Sequence, residues 1–344
     1  MTNLKTLSDH LGLSQATVSR ALNGYTTVKP ATRLRVEEAA KRLNYRPNSS
    51  AQRLATGKAG AFGVIVTAGD NMLIDPHFTE FLAGLTRTLA ESDIDIVMTA
   101  AAPENQSATY KRFADSGKVD GFIVSAPRKD DPRIEALLDM NFPFVVHGQC
   151  ETSKRYSFYD IDNMGAFEKA ANYLLQLGHR RIAILNGTPD AMFAIQRNAG
   201  YLKAFKSHGV PVSQDLMVQD LMTEEVGHSR MKPLLELLEP PTAVLCSSMI
   251  LALGAQRAIR EKGLHIGRDI SIISHDDGLS SMKTENFSVP LTVTRSPIRD
   301  AGTELASMLR SIVDGSVTEP IQHIVPVDLI VRQSTAPVPQ KRTI

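Results

Sequence analysis

Residues 4–22, LKTLSDHLGLSQATVSRAL, constrain the fold of this chain more than any other stretch. Leu4, Leu7 and Leu11 recur at helical spacing and give one short amphipathic helix. Gly12 and Leu13 break it. Ser14 stands where its hydroxyl can accept a backbone N–H left free by the first turn of a second helix. That helix, residues 15–22, turns Val18 and Leu22 inward and leaves Gln15, Ala16, Ser19 and Arg20 outward. Asn23 and Gly24 close it, since both tolerate the left-handed conformation of a helix end. Two short helices, a tight turn and a polar outer face make a helix-turn-helix, whose second helix fits the major groove of DNA. An ordinary helical hairpin has the same spacing.

Charge favours the first reading. Residues 1–60 carry ten Lys and Arg against three Asp and Glu, a net +7; the whole chain carries +1, so residues 61–344 carry −6. A basic head on a mildly acidic body suits a polyanion-binding module joined to a sensing or assembly domain. The head also has the apolar periodicity that a solvated basic tail lacks. Pro30 can open a third helix, where its missing N–H costs nothing, and Leu34, Val36, Ala39, Ala40 and Leu43 supply that helix's apolar positions. Residues 44–48, NYRPN, end it. Residues 49–57, SSAQRLATG, are too few for a helix that is stable alone and read as a hinge that orders with a partner. Leu54 on its exposed face is a candidate wedge for the minor groove.

A length of 344 residues implies two or three domains. No apolar run approaches the roughly 20 residues that span a bilayer, so no membrane partner is expected. Polar Thr2, Asn3 and Lys5 stand where a signal peptide needs apolar residues, which points to the cytoplasm. Cys150 and Cys246 have no metal-like spacing and read as reduced packing residues. There is no Gly-x-Gly-x-x-Gly after a strand, no Walker sequence and no Cys/His cluster, so neither enzyme, cofactor nor metal is expected. His179 and His275, the candidate bases, read as structural.

From Ala61 onward strand and helix patterns alternate. Apolar strands are expected at 63–67, 95–98, 121–124 and 144–146, then at 182–185, 243–246 and 270–273, with a helix over 78–91. Continuous apolar strands between amphipathic helices argue for parallel sheets covered on both faces. Such sheets bind ligands at the carboxyl ends of their strands.

LSQATVSRALN at 13–23, LNYRPN at 43–48 and AQRLA at 51–55 resemble the head and hinge of the lactose/galactose-repressor family of bacterial transcription regulators. The similarity continues to VDLIVRQST at 327–335. It implies a small all-α helix-turn-helix head and a two-lobed, periplasmic-binding-protein-like α/β core of parallel sheets. The head covers 1–47, a hinge helix and linker 48–60, and the effector-binding core 61–340. One lobe takes about 61–160 and 294–322, the other about 161–290 and 323–340, with crossings near Asp160, Pro290 and His323. The resemblance further implies a repressor of carbohydrate-utilisation genes, cytoplasmic and nucleoid-associated, controlled by a sugar-like effector between the lobes. A homodimer suits a palindromic double-stranded operator, because the two-fold symmetries match. No leucine heptad follows the core, so the lactose repressor's tetramer-forming tail is not expected. A regulator answering to a non-sugar corepressor, and a solute-binding protein, are the alternatives; the second would lack the basic head.

For DNA, Gln15 can pair bidentately with adenine and Arg20 with guanine, and Ala16 is small enough to touch a thymine methyl. The resemblance places base contacts at the same three positions. Ser14, Thr17, Ser19 and Asn23 suit phosphates, which fix register without reading sequence. Tyr45, Asn48, Ala51 and Leu54 complete the expected DNA-binding set.

For the effector, Asp75, His77 and Phe78 follow the first strand, while Ser125 and His147 end the third and fourth. Phe193 and Arg197 lie in the second lobe, and the resemblance assigns the arginine to effector hydroxyls. Ser248 and Asp276 match two further polar contacts. A facing arginine and carboxylate can bind vicinal hydroxyls, one donating and the other accepting, and Phe78 or Phe193 would stack on a sugar ring. Three departures point to a sugar unlike lactose, an oligosaccharide in a roomier site. Ser248-Met249 replaces Asn-Asp, Leu221 an aromatic, and Gly148 a charged contact.

Overall fold

The computed structural model describes residues 3–22, 25–45, 57–68 and 75–338, in two compact units, residues 1–60 and 61–344. The described residues of the first unit form helices α1 (Leu4–Leu11), α2 (Gln15–Leu22) and α3 (Pro30–Arg42). Asn3 caps α1 by accepting from the Thr6 N–H, and Gly12 ends it at φ 65°, a conformation open to glycine. Ser14 Oγ accepts from the Thr17 N–H at 3.1 Å, capping α2 as expected. Leu7, Val18, Ala21, Val36 and Ala39 form the core, with Leu4, Leu13, Leu22 and Leu43 packed around it.

Two expectations shift. Ala21, not Leu22, is the second fully buried side chain of α2, and Leu34 is 60% exposed. The buried stripe of α3 runs through Val36, Ala39, Ala40 and Leu43, and a residue two positions before that stripe points to the opposite side. The expected hinge helix, with Asn48, Ala51 and Leu54, and likewise Asn23, lie outside the described residues.

The second unit begins with β1 (Ala61–Thr67), α4 (Pro76–Ala90), β2 (Asp95–Ala101), α5 (Gln106–Asp115) and β3 (Gly121–Ser125). It continues with α6 (Pro132–Asp139), β4 (Phe144–His147), β5 (Ser157–Ile161) and α7 (Asn163–Gln176). Next come β6 (Ile182–Asn186), α8 (Met192–Ser207), β7 (Met217–Gln219), α9 (Glu224–Leu235) and β8 (Ala243–Cys246). The last elements are α10 (Met249–Glu261), β9 (Ser271–Asp276), β10 (Thr292–Arg295), α11 (Ile298–Val313), β11 (Gln322–Val325) and β12 (Asp328–Ile330).

These strands make two sheets, ordered β11-β5-β4-β3-β1-β2 and β12-β10-β9-β8-β6-β7, every pairing parallel except β10 with β12. Alternate side chains of one strand enter opposite cores. In β1, Ala61 and Ile65 pack with α5 and α6, while Phe62 and Val64 pack with α4 and α11. In β8, Ala243 and Leu245 face α7 and α8, while Val244 and Cys246 face α9 and α10. Burial on both faces is why these strands read as unbroken apolar runs. The edge strands β7, β11 and β12 are half-exposed and short, and carried no such signal.

The chain passes between the sheets at 161–163, 295–298 and 325–328. The second and third passages come later than expected, because β10 pairs with β9 through Arg295 and β11 with β5 through Val325. Among the described residues no helix is long and apolar enough to cross a membrane, and both cysteines are free.

Close helix crossings rest on glycine. A Cβ on Gly254 of α10 would stand 1.9 Å from the Glu224 carbonyl oxygen, and one on Gly227 of α9 would stand 2.2 Å from that of Leu251. Gly254→Ala must push the two helices apart. We expect a loss of about 2 kcal/mol and a melting temperature several degrees lower. An unchanged melting curve would show that this crossing gives way without cost.

Candidate functional site

The outward face of α2 exposes Gln15, Ala16 and Arg20, with Thr17 and Ser19 half-buried beside them and Ser14 at its cap. Tyr45 packs against the rim of the head's core. The face combines one guanidinium, one amide and one methyl with hydroxyls around them, the groups that base edges and phosphates recognise.

In the second unit the carboxyl ends of both sheets meet at a cavity of about 210 Å³. Ser125, His147 and Asp160 come from the ends of β3, β4 and β5; Ser247 and Asp277 directly follow β8 and β9. Helix starts supply the rest: Asp75, His77 and Phe78 at α4, Asn163 at α7, Phe193 and Arg197 at α8. Seven of the nine expected effector residues therefore line one space. Ser248 and Asp276 do not.

Both misses are slips of one residue. Ser248 is fully buried as the cap of α10, its Oγ accepting from the Leu251 N–H, while its neighbour Ser247 lines the cavity. Asp276 is buried and accepts from the Gly278 N–H and Thr284 Oγ1, while Asp277 reaches the cavity. Neighbours at a strand end point to opposite sides, so spacing alone does not choose between them. Leu221, beside the lining residue Met222, is 60% exposed. Asp160 and Asn163 lie where the chain leaves the first sheet, and only their place in the fold marks them.

Arg197 is 6% exposed. Its guanidinium lies between the rings of Phe193 and Phe167, 4.9 and 5.1 Å from their centroids. Nε donates to Asn163 Oδ1 at 2.9 Å and Nη1 to the Ser247 carbonyl at 2.6 Å. Burial lowers its pKa to about 10, so it stays a cation at neutral pH. Asn163 in turn donates to Asp160 Oδ1, whose other oxygen accepts from Gln149 Nε2 at 2.8 Å. Burial, opposed by these hydrogen bonds, raises Asp160 to about 6.

His77 sits between two carboxylates. Nδ1 is 2.9 Å from Asp75 Oδ1, and Nε2 is 3.1 Å from Asp277 Oδ2. Burial alone would lower the His77 pKa, but Asp277 and Asp75 outweigh it and raise it to about 10. Burial also works against the charge of Asp277, yet His275 and His77 hold its pKa well below the usual range. His147, stacked on Phe81 at 5.1 Å, is pushed down to about 4 by burial and is neutral.

The His77–Asp277 pair joins the two lobes, since α4 packs on the first sheet and Asp277 extends the second. Glu80 of α4 makes a similar bond, accepting from the Ser280 N–H at 3.1 Å and Oγ at 2.8 Å, with Arg299 paired to its other oxygen. A backbone suture adds to them: Lys129 N–H donates to the Asp190 carbonyl and Met192 N–H to that of Pro127.

The folded pKa of His77 lies above its unfolded value. Its protonation therefore stabilises the fold, fully below about pH 6.5 and progressively less as pH rises through about 10. The stability gap between the wild type and His77→Gln should narrow from pH 6 to pH 10 in denaturant titrations. A gap that stays constant or widens would contradict this electrostatic account.

His179 is fully buried, bonded to Thr242 Oγ1 and the Ala336 carbonyl, and His275 is bonded to Thr294 Oγ1. Among the described residues no His, Cys, Asp and Glu group is arranged to hold a metal ion.

Comparison with known proteins agrees with this layout. Residues 5–48 match the family described as bacterial regulatory proteins, lacI family, and residues 171–335 match the periplasmic binding protein-like domain. The HTH-type transcriptional regulator AglR of Rhizobium meliloti (strain 1021) is 48% identical, over 98% of this chain and 96% of its own. The solved complex of the transcriptional regulator CelR with cellobiose is 26% identical at a TM-score of 0.73, over 97% of this chain and 100% of that one. The lac repressor dimer bound to operator and the anti-inducer ONPF shares the fold at a TM-score of 0.82 and 24% identity, over 97% and 99% of the two chains.

Proposed function

The chain belongs to the LacI family of bacterial regulatory proteins, and we propose that it is a repressor of carbohydrate-utilisation genes controlled by a sugar-like effector. The observation that carries this is the cavity between the sheets, where Arg197 and the carboxylates of Asp160 and Asp277 accompany the rings of Phe78 and Phe193. Carboxylates accept from sugar hydroxyls, a guanidinium donates to them, and aromatic faces cover the C–H surface of the ring. CelR, similar over nearly its whole length, binds cellobiose in its solved complex. AglR is named a transcriptional regulator.

The DNA-reading set is Gln15, Ala16 and Arg20 for bases, with Ser14, Thr17, Ser19 and Asn23 for phosphates. A homodimer presents two such faces to a palindromic operator, because the two-fold symmetries match. The regulator works in the cytoplasm, where its operator is. Effector and operator act on each other through the effector's different affinity for two arrangements of the paired cores. The chain is read as non-catalytic, in keeping with relatives that are named as regulators.

The test is a thermal-shift screen of neutral mono- and disaccharides, followed by operator titration with each hit present. The reading expects a hit that changes operator affinity. A protein that prefers no palindrome over bulk DNA, with or without these sugars, would overturn it.

A further inference from the structure

We infer that the cleft takes an uncharged polyhydroxylated effector and rejects sugars that carry a phosphate or carboxylate. This rests on the reading of the cavity as the effector site. Its argument is the balance of charge around that space. Among the described residues three carboxylates line it, Asp75, Asp160 and Asp277, against two cations, His77 and Arg197.

Neither cation is available as an anion clamp. Both ring nitrogens of His77 already face carboxylate oxygens, Nδ1 hydrogen-bonded to Asp75 at 2.9 Å and Nε2 ion-paired with Asp277 at 3.1 Å without hydrogen-bond alignment. Arg197 has Nε on Asn163, Nη1 on the Ser247 carbonyl and a ring near each face. Only Nη2 has no partner among the described residues. A carboxylate or phosphate is held strongly by two parallel N–H groups, and the Nε side of that fork is occupied.

The balance is one negative charge, and Asp160 is the carboxylate that no cation hydrogen-bonds among the described residues. Its oxygens accept from Gln149, Asn163 and the Ile161 N–H, all neutral donors, and among the described residues Arg197 acts on it through space without a hydrogen bond. Asp160 is 5% exposed, so solvent screens it poorly. Two like charges about 6 Å apart at an effective dielectric of about 20 weaken binding by about a hundredfold.

What remains open suits hydroxyls. Ser125 Oγ is buried with no hydrogen-bond partner among the described residues, and His147 offers a neutral imidazole. Each can donate to or accept from a hydroxyl, which does both itself.

The experiment is calorimetry on the full chain with matched pairs: glucose with glucose 6-phosphate and glucuronate, galactose with galacturonate, cellobiose with cellobionate, maltose with maltose 6′-phosphate. A neutral member should bind, and its anionic partner should bind about a hundredfold more weakly. Asp160→Asn removes the opposing charge and should close most of that hundredfold gap. An anion that binds as tightly as its neutral parent overturns the inference but leaves a sugar-responsive regulator standing. If no member of any pair binds, the sugar reading falls and this inference with it.

Discussion

Arg197→Met abolishes the response of operator binding to effector, with effector affinity reduced about ten- to a hundredfold. A hydrogen bond to a charged group contributes about 1.5–3 kcal/mol, and the guanidinium has one nitrogen, Nη2, without a partner among the described residues. Methionine keeps an apolar chain between Phe167 and Phe193, so the packing of α7 against α8 survives. Two acceptors, Asn163 Oδ1 and the Ser247 carbonyl, then lose their donor. The variant should therefore melt a few degrees lower. Arg197→Lys is expected to fail as well, because one ammonium cannot serve both acceptors and a ligand in the geometry of a planar fork. Calorimetry with the hit sugar, beside operator titration with and without it, checks both variants. A variant that binds the sugar normally would remove Arg197 from the site.

Arg20→Ala erases operator selectivity. Arg20 is exposed on α2, away from the core that Val18 and Ala21 anchor, so its truncation leaves the head folded. A bidentate arginine–guanine contact contributes about 1–3 kcal/mol of discrimination. A phosphate contact would instead weaken operator and random duplex alike and lower the salt dependence of both. Anisotropy titrations on the two duplexes at two salt concentrations separate these cases. Undiminished discrimination would show that α2 reads the operator through other residues.

Much of the head was legible residue by residue. Its helices are short and local: the Ser14 cap, Gly12 and the spacing of Leu7, Leu11 and Val18 act within a few positions of one another. Leu34 misled because one apolar residue in a helix carries no direction until its neighbours define the buried stripe. In the core, most strands buried on both faces announced themselves, but β5 and β10, short and interrupted by Asp160, Thr292 and Thr294, did not, and neither did half-exposed β7, β11 and β12.

The cleft was legible only to within one residue. Strand ends could be named, but Ser247 against Ser248 and Asp277 against Asp276 is a choice between neighbours pointing opposite ways. Asp160 and Asn163 offered no local signal at all. They matter because β5 leads into α7 beneath Arg197, more than thirty positions later in the chain.

Sequence alone determined the basic helical head, the alternation of strand and helix that demands parallel sheets, and the family resemblance. Each of these depends on residues close together in the chain or on a pattern repeated along it. Only the tertiary structure decided which side chains share the cavity, that His77 bridges two carboxylates across the lobes, and that Asp160 accepts its hydrogen bonds from neutral donors. Those facts join residues up to two hundred positions apart, and the field in a cleft depends on distances that sequence order does not contain.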